Sequence, residues 1–292
     1  MTKILDGTAL ALKLRETYKE TIQTEFILKN LAPPHLVIIY VGDNKSSEIY
    51  IKGKIKACDL LGIKTTLEHI KETPTQQQLD NIIKKHNNDI GVDGILVQMP
   101  LPSGLNATQA INQISANKDV DGLTFVNLGK LISGDPDAVQ SCTPQGVIEI
   151  LKSYGVSLVG KSVALINRSL LVGKPLAMLL TACDATVTVC HTKTKDLDKV
   201  LKSSDIIITA VGAKNFIQAH HVKKGAVVVD VGISQDKDTG KICGDADFEN
   251  IKDLCSFITP VPGGVGPMTI TMLLKNLLDL SIRHRKEASK GN

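Results

Sequence analysis

Residues 36–61 read LVIIYVGDNKSSEIYIKGKIKACDLL, a pattern that predicts a strand, a turn and a helix in immediate succession. The apolar run Leu36–Val41 is typical of a strand that is buried on both faces of a parallel sheet. Gly42-Asp43-Asn44 is typical of a turn, and Gly62 is a residue type that commonly ends a helix. The stretch therefore predicts a buried strand that leads directly into a helix, as in α/β proteins.

The predicted helix carries two side chains that suggest a binding site. Ser46 or Ser47 is a suitable N-cap, so the helix should run from about Glu48 to Leu61. Tyr50 and Lys54 are then four residues apart and share one face. Such a pair is most often a packed ring and a solvated charge. Here it would also present an aromatic ring and an amine together near the end of the strand.

A second buried strand ends at a polar side chain. Ile95-Leu96-Val97 predicts the strand, and Gln98 follows at its carboxyl end, where ligands bind in open α/β sheets. An equally good alternative is that Gln98 satisfies the proline-rich turn 99–102. Farther along, a loop supplies Asp119 and Asp121, and loop carboxylates are commonly solvated or cap helices.

The second half of the chain has a strand, a turn and a helix where a dinucleotide phosphate loop belongs. Ser162–Ile166 predicts the strand, and the turn begins at Asn167-Arg168-Ser169. The turn is not a clean GxGxxG, because asparagine occupies the first position. Asparagine is the non-glycine residue most tolerant of left-handed backbone angles, so the turn can survive. Taken alone, this match is weak.

The end of the next strand favours NADP over NAD. The predicted strand 185–189 leads into Cys190-His191-Thr192-Lys193, which offers no carboxylate for the ribose hydroxyls of NAD. A hydroxyl, an imidazole and a cation, with Arg168 as a further cation, suit a 2′-phosphate. The alternative is a polar loop that binds no ligand. Gly212 and Gly232 end two later strands, where a cofactor can approach closely.

Composition limits the class of function. The 292 residues suffice for two domains, and 42% hydrophobic with only 3% aromatic residues predicts an aliphatic core. A net charge of +4 and the scarcity of aromatic side chains argue against nucleic acid, and no apolar run suits a membrane span. Six cysteines without CxxC or zinc spacing, and no signal sequence, predict free thiols in a cytoplasmic protein. His220-His221 lacks a third ligand at metal spacing and is interpreted as surface, so no metal is predicted.

Three further features bear on the organisation of the chain. Residues 127–140 lack clear periodicity, and the domain boundary is predicted there. Thr73-Pro74-Thr75 predicts the start of a helix. The final helix is predicted over about Thr269–Ile282, and the basic run Arg283-His284-Arg285-Lys286 is interpreted as its solvated end.

Taken together, the motifs resemble the bifunctional methylenetetrahydrofolate dehydrogenase/cyclohydrolases over nearly the full length of the chain. Their order is the family's order, and the last is among its most specific signatures. The motifs are Tyr40-Val41-Gly42-Asp43 with Ser47, Tyr50 and Lys54; Val97–Pro102; Lys118–Gly122; Cys142-Thr143-Pro144; Arg168-Ser169 with Val172-Gly173; Asp230–Ile233; and Thr259–Thr269.

The resemblance implies an α/β fold of two domains with a cleft between them. The catalytic, folate-binding domain would span residues 1–125 plus 270–292, with the C-terminal helix returning to it. A Rossmann-like NADP-binding domain would span residues 140–269. Members of the family are typically homodimers through the cofactor domain.

The resemblance also assigns the folate site. The family's active-site lysine falls on Lys54, the tyrosine that packs on the folate ring system falls on Tyr50, and the glutamine paired with the lysine falls on Gln98. The aspartate that hydrogen-bonds the pterin falls on Asp121. The turn Pro262-Gly263-Gly264 should line the same site.

On the cofactor side, the family's Gly-Arg-Ser turn falls on Asn167-Arg168-Ser169. Thr192 stands where the family often has serine, and Ile233 matches its nicotinamide-side isoleucine, beside Gly212 and Gly232. Asn167 is expected to alter the affinity for the cofactor more than to abolish binding. Thr192 keeps the hydroxyl, so NADP remains favoured.

The resemblance implies two successive reactions in one-carbon metabolism and purine biosynthesis. Hydride passes from 5,10-methylenetetrahydrofolate to NADP+, and water then opens the methenyl cation to 10-formyltetrahydrofolate. A neutral Lys54, oriented by Gln98, would take a proton from that water. Three alternatives stay open: a monofunctional relative, another NADP dehydrogenase such as a shikimate-type enzyme, and a catalytically silent NADP- or folate-binding protein.

Overall fold

The computed structural model describes residues 2–236 and 239–290. The strands in these residues are β1 Lys3–Ile4, β2 His35–Val41, β3 Lys64–Ile70, β4 Gly94–Val97, β5 Ser162–Ile166, β6 Thr186–Cys190, β7 Ile206–Thr209, β8 Val227–Asp230, β9 Ser234–Gln235, β10 Ile242–Cys243 and β11 Phe257–Ile258. The α-helices are α1 Gly7–Ile22, α2 Lys45–Leu61, α3 Gln76–Asn88, α4 Ala107–Gln113, α5 Phe125–Ser133, α6 Cys142–Ser153, α7 Gly173–Ala182, α8 Leu197–Ser203, α9 Phe248–Ile251 and α10 Val265–Lys290.

The chain forms two compact α/β units, in agreement with the predicted fold class. The three-strand unit comprises residues 13–142 and 270–290, and the six-strand unit comprises residues 2–12 and 143–269 apart from the two residues not described. The start of the chain was expected in the first domain, but β1 pairs in parallel with β11. Residues 2–12 therefore lie in the six-strand unit, because β1 adds an edge strand to its sheet.

The three-strand unit is organised around β2. The sheet has the order β3-β2-β4, and both pairings are parallel. Every residue of β2 is buried, as its unbroken apolar run predicts. Apolar side chains of β2 and β4 pack against Leu79 and Ile83 of α3. The carboxyl ends of β2 and β4 thus lie side by side, with Ile39 paired to Val97.

Helix α2 begins earlier than predicted, whereas α3 begins directly after the predicted segment Thr73-Pro74-Thr75. The Asn44 side chain accepts the Ser47 N–H at 3.1 Å, and α2 starts at Lys45, before both predicted cap positions. Its predicted end is confirmed, because Gly62 follows with φ +73°. For α3 the cap is Thr75, which exchanges hydrogen bonds with Gln78 in a capping box.

The region predicted to be an aperiodic linker contains a helix. Thr124 caps α5 by accepting the Asn127 N–H, and Gly134 ends it in the left-handed conformation. The buried Asp119 carboxylate accepts both the Thr124 N–H and the Asn127 amide. These hydrogen bonds link the residues before α5 to its first turn, so the domain boundary at residues 127–140 is not a flexible linker. The two compact units divide instead at Cys142 and Thr143.

The six-strand unit contains a fully parallel sheet of order β1-β11-β8-β7-β5-β6. The register pairs Ile166 with Cys190 and Thr209, and Thr209 with Asp230. The carboxyl ends of four neighbouring strands therefore meet at one edge of the sheet. This is the edge at which a doubly wound fold binds its ligand.

Helix α10 is longer than predicted at both ends. It begins at Val265, inside the glycine-rich motif, and continues to Lys290. The basic run near its end is not simply solvated: Arg285 donates two hydrogen bonds to the fully buried Asp93, at 2.7 and 3.0 Å. In the described part of the chain, no helix is both long and apolar enough to cross a membrane.

Candidate active site and cofactor loop

Lys54 and Gln98 form a hydrogen-bonded pair in the three-strand unit. Lys54 Nζ, on α2, donates to Gln98 Oε1 at 3.0 Å, directly after β4. Gln98 Nε2 donates to the Met99 carbonyl at 2.7 Å. The alternative that Gln98 satisfies the proline-rich turn is confirmed, and the same amide also accepts from the lysine; ligand binding by Gln98 stays a prediction. Because the Met99 carbonyl holds the Gln98 amide in place, the amide oxygen gives the Lys54 amine a defined direction.

Tyr50 lies one helical turn before Lys54. Its side chain is 44% exposed, which is high for a tyrosine on a helix that packs against a sheet. The ring is therefore available to a flat ligand, and the amine on the same face would lie beside that ligand. Gly53 lies between them, and a Cβ built on it would make an ordinary contact with Ile270 at 3.6 Å.

The carboxylates of the 118–122 loop have different environments. Asp119 is buried and accepts the Thr124 N–H and the Asn127 amide at the start of α5, so its carboxylate has a structural role. Burial raises the pKa of Asp121, and the positive charge of nearby Lys54 opposes this shift without cancelling it. A protonated carboxyl, which can donate as well as accept, is thus easier to form at Asp121 than at an exposed aspartate.

The same loop is anchored by two side chains that sequence reasoning missed. Lys118 Nζ donates to three carbonyls at the end of α3, at 2.7 to 3.2 Å. From α10, Asn276 donates to the carbonyls of Val120 and Gln140 at 2.9 and 2.8 Å. No local pattern could have identified Asn276, because its partners are more than a hundred residues away in the sequence.

The predicted substrate turn Pro262-Gly263-Gly264 lies in the six-strand unit and packs against the start of α1. The Thr8 N–H donates to the Gly263 carbonyl at 2.9 Å. A Cβ atom on Gly7 would overlap the carbonyl of Gly264. Gly7 is therefore required for the turn to keep its position. This requirement is not apparent from the sequence, because the two segments are far apart in the chain.

We expect Gly7→Ala to destabilise the six-strand unit by about 1–3 kcal/mol, because backbone must move to admit the methyl group. If the 262–264 turn contacts folate, KM for the folate substrate should rise as well. Gly129→Ala is the matched control: it lies in α5 with open space at its Cβ, so alanine should stabilise by up to about 1 kcal/mol. Thermal unfolding of the two variants should therefore shift in opposite directions, and equal shifts would contradict the packing argument.

Asn167 acts through its side chain rather than through a left-handed backbone. The described non-glycine residues with positive φ do not include Asn167, so that expectation is wrong. Its Oδ1 accepts the N–H groups of Ser169 and Gly173, at 2.8 and 3.1 Å, and its Nδ2 donates to the Ala210 carbonyl. The asparagine thus holds the turn and the first residue of α7 together. A glycine at this position would leave those groups without their partner.

The other predicted cofactor residues follow the strand ends of the six-strand unit. Arg168, Ser169 and Thr192 are exposed after β5 and β6. A Cβ built on Gly212, after β7, would meet nothing within 4 Å, and the side chain of Ile233, after β8, is 47% exposed. The structure thus leaves an open surface at this edge of the sheet with cationic and hydroxyl groups beside it. These residues fit a dinucleotide that carries a 2′-phosphate.

His221 is buried rather than at the surface, which corrects the interpretation of the His220-His221 pair. Asp198 supplies a third group, and the ligand atoms of the three side chains lie within 4.8 Å of one another. However, the Gln218 N–H donates to His221 Nδ1, so Nε2 carries the proton and donates to Asp198 at 3.2 Å. That tautomer leaves His221 no lone pair for a metal ion. The cluster is therefore better explained as a hydrogen-bonded turn.

The cysteines are all free, as predicted. Cys58, Cys142, Cys190 and Cys255 are buried, whereas Cys183 and Cys243 are partly exposed. Burial raises the pKa of the Cys58 thiol to about 11, so it is not a reactive thiolate at neutral pH.

Two family models match the chain, and together they cover most of it. The model described as "Tetrahydrofolate dehydrogenase/cyclohydrolase, catalytic domain" matches residues 5–121. The model described as "Tetrahydrofolate dehydrogenase/cyclohydrolase, NAD(P)-binding domain" matches residues 141–285.

Similar proteins match over nearly their full length. The "Bifunctional protein FolD" of Mycoplasma mycoides subsp. mycoides is 44% identical over 284 residues, which are 97% of this chain and 98% of that protein. The crystal structure of the bifunctional FolD enzyme from Campylobacter jejuni is 44% identical, with a TM-score of 0.94, and the match covers 98% of this chain and 100% of that one. The Trypanosoma brucei FolD structure, complexed with NADP and an inhibitor, is 32% identical with a TM-score of 0.92 and covers 98% of each chain. This chain belongs to the tetrahydrofolate dehydrogenase/cyclohydrolase family.

Proposed function

We propose that the protein oxidises 5,10-methylenetetrahydrofolate to 5,10-methenyltetrahydrofolate with NADP+, and then hydrolyses the product to 10-formyltetrahydrofolate. The observation that carries this proposal is the 3.0 Å hydrogen bond between Lys54 and Gln98. An oriented amine is what the hydrolytic step requires, and it favours this function over a shikimate-type dehydrogenase or a silent binding protein. Relatives named for both activities support a bifunctional enzyme over a monofunctional one.

In this proposal the three-strand unit is the catalytic, folate-binding domain. Tyr50 offers its exposed ring to the folate ring system, and Asp121 hydrogen-bonds the pterin. The six-strand unit is the NADP-binding domain and also contributes Pro262-Gly263-Gly264 to substrate binding. The two family models support these domain roles.

The cofactor proposed is NADP, which supplies the hydride acceptor when bound. Arg168, Ser169 and Thr192 would hold its 2′-phosphate, and residues 190–193 contain no carboxylate that would select NAD. Gly212, Gly232 and Ile233 would line the nicotinamide side, while Asn167 keeps the phosphate turn in shape. The NADP complex of the Trypanosoma brucei relative supports this choice.

Hydrolysis is the step in which Lys54 acts. The methenyl intermediate is a cation, so it favours the neutral form of a neighbouring amine. The neutral amine takes a proton from water as the water oxygen attacks the cationic carbon, which gives a cyclic carbinolamine. Gln98 keeps the amine directed during this transfer. The bond from that carbon to N5 then breaks, the hydroxyl proton passes to N5, and the formyl group stays on N10. Hydride transfer needs no side-chain base, because it requires only that the two rings be positioned.

We further propose a cytoplasmic homodimer whose formylated product serves purine biosynthesis. Free thiols are typical of a reducing compartment. Strand β6 has one neighbour in its sheet and carries the half-exposed Val189, so its edge is open to a second copy. Sedimentation of the purified protein as a monomer would contradict the dimer.

The test is an assay that follows reduced cofactor and methenyltetrahydrofolate separately, with NADP+ and with NAD+. Reduction of NADP+ without accumulation of the methenyl compound is the expected result. Accumulation would mean that the second activity is weak or absent. Preference for NAD+ would contradict the roles of Arg168 and Thr192, and absence of reduction with either cofactor would overturn the proposal.

A further inference from the structure

A buried carboxylate, Asp245, joins the two turns that carry predicted cofactor residues. Its side chain is fully buried in the six-strand unit, in the loop after β10. One oxygen, Oδ2, accepts the Val211 N–H at 2.7 Å and the Thr209 hydroxyl at 2.9 Å. The other, Oδ1, accepts the Ala213 N–H at 2.8 Å. Asp245 thus bonds the backbone on both sides of Gly212.

The same carboxyl group also defines the turn after β8. A Cβ atom on Gly232 would overlap the Asp245 carboxyl group. Only a glycine lets the two come this close, so the turn that leads into Ile233 rests directly on Asp245. One side chain therefore contacts both glycine turns at the ligand-binding edge of the sheet.

A second buried carboxylate fixes Asp245 in its turn. Asp230, at the end of β8, accepts the Gly232 N–H at 2.9 Å and the Ala246 N–H at 2.7 Å. A Cβ atom on Gly244 would overlap Asp230 Oδ2. The two segments thus interlock: Gly232 faces the carboxylate of Asp245, and Gly244 faces the carboxylate of Asp230. Burial, with some help from the charge of Asp245, raises the pKa of Asp230 to about 6 even though backbone N–H groups bonded to it oppose the shift.

We propose that Asp245 is a positioning residue for the cofactor, which holds the Gly212 and Gly232 turns in the conformation that receives the nicotinamide half of NADP. The inference rests on the proposed function, because it takes these glycines as cofactor-binding residues. The carboxylate does not touch the reacting atoms in this account. The carboxylate keeps the two turns ordered before the cofactor binds. Binding therefore does not have to order them, and the affinity for NADP is not reduced by that cost.

A buried carboxylate suits this task better than an amide. The three groups bonded to Asp245 are all donors, and its two oxygens accept all of them. An asparagine would turn its NH₂ group towards at least one donor, which would leave that donor unsatisfied in the interior. Asp245→Asn therefore changes the hydrogen bonding of a turn while nearly preserving the volume of the side chain.

The experiment compares Asp245→Asn with Thr209→Val in the full chain. Thr209→Val removes a hydroxyl bonded to the same carboxylate but leaves both turn amides bonded, so it is the matched control. We expect Asp245→Asn to raise the Kd of NADP+ about tenfold or more and Thr209→Val to change it less than about twofold. Hydrolysis of added methenyltetrahydrofolate, which uses no hydride acceptor, should stay unchanged in both variants.

Three results would overturn the inference. They are unaltered NADP+ affinity in Asp245→Asn, an equal loss of affinity in Thr209→Val, and a fall in hydrolysis that matches the fall in NADP+ binding, which would indicate general unfolding. Failure of the unaltered protein to bind NADP+ would instead overturn the proposed function, and this inference with it.

Hydrogen exchange in the unaltered protein gives a second test, which does not require any variant to fold. The Val211 and Ala213 amides should exchange slowly before NADP+ is added, because Asp245 already holds them. Fast exchange that slows only after addition of NADP+ would mean that the cofactor orders the turn, and the role given to Asp245 would be wrong.

Discussion

Lys54→Met should lower the rate of methenyltetrahydrofolate hydrolysis by about 10²–10⁴-fold, the range over which a positioned acid–base group acts. The methionine side chain keeps most of the apolar length of lysine but cannot accept a proton. Part of the dehydrogenase activity should survive, because hydride transfer uses no side-chain base in the proposed mechanism. The measurement is direct hydrolysis of methenyltetrahydrofolate, beside NADP+ reduction with the methylene substrate.

Lys52→Met provides the control on the same helix. Lys52 lies two residues before Lys54, its side chain is 79% exposed, and its amine lies 4.0 Å from the Glu48 carboxylate. The same substitution there should leave both activities unchanged, so it separates loss of the amine from a general effect of methionine on α2. Lys54→Arg should also fail to hydrolyse, because a guanidinium does not lose its proton near neutral pH. Unchanged hydrolysis in Lys54→Met would remove Lys54 from the mechanism.

The Lys54–Gln98 pair was within reach of sequence reasoning, because each residue follows from a local pattern. The apolar runs predict β2 and β4, and Gly62 fixes the end of α2. Helical spacing then sets Tyr50 and Lys54 on one face, and strand order sets Gln98 at a carboxyl end. That the two residues are paired came only from the resemblance to the family, since the register that joins β2 to β4 is not encoded in either segment alone.

Asn167 illustrates a different limit. Left-handed backbone and side-chain hydrogen bonding are two ways in which asparagine can support a turn, and residue type alone does not distinguish them. The choice depends on Ala210 and Gly173, which present a carbonyl and an N–H to the amide. Asp245 was overlooked for the same reason. Its donors come from a segment about thirty residues earlier, and an isolated aspartate in a glycine-containing loop has no distinctive pattern.

The second large effect, on stability, is expected at the basic end of α10, and it is not apparent from the sequence. Arg285 neutralises Asp93, whose side chain is fully buried and also accepts from the His35 N–H at 3.0 Å. Burial alone would raise the pKa of Asp93, but hydrogen bonds from His284 and Arg285 outweigh it and hold the pKa below its usual value. The run looks like a solvated helix end because its partner lies 192 residues away.

Arg285→Met should therefore lower the free energy of unfolding by about 3 kcal/mol at pH 7, because it leaves a buried carboxylate without its main counter-charge. Methionine can retain packing on the Phe26 ring, over which the guanidinium lies at 5.8 Å, so the loss reports mainly the ion pair. Chemical denaturation of the variant and of the unaltered protein measures the difference.

Arg283→Met is the matched control, two residues earlier on α10. Arg283 donates to the Asp137 carbonyl and lies 3.6 Å from a carboxylate that is 70% exposed, so its loss should cost less than about 1 kcal/mol.

The pH dependence of the Arg285→Met effect gives a sharper test. Because the folded pKa of Asp93 is depressed, the ion pair stabilises the protein above the unfolded pKa of about 3.9, and this contribution is lost as the pH falls through the folded value. The loss of unfolding free energy in Arg285→Met should thus shrink in acid, where Asp93, which no longer has its arginine partner, takes up a proton. If the difference in unfolding free energy stayed constant from pH 7 to acid, the effect would come from packing rather than from charge.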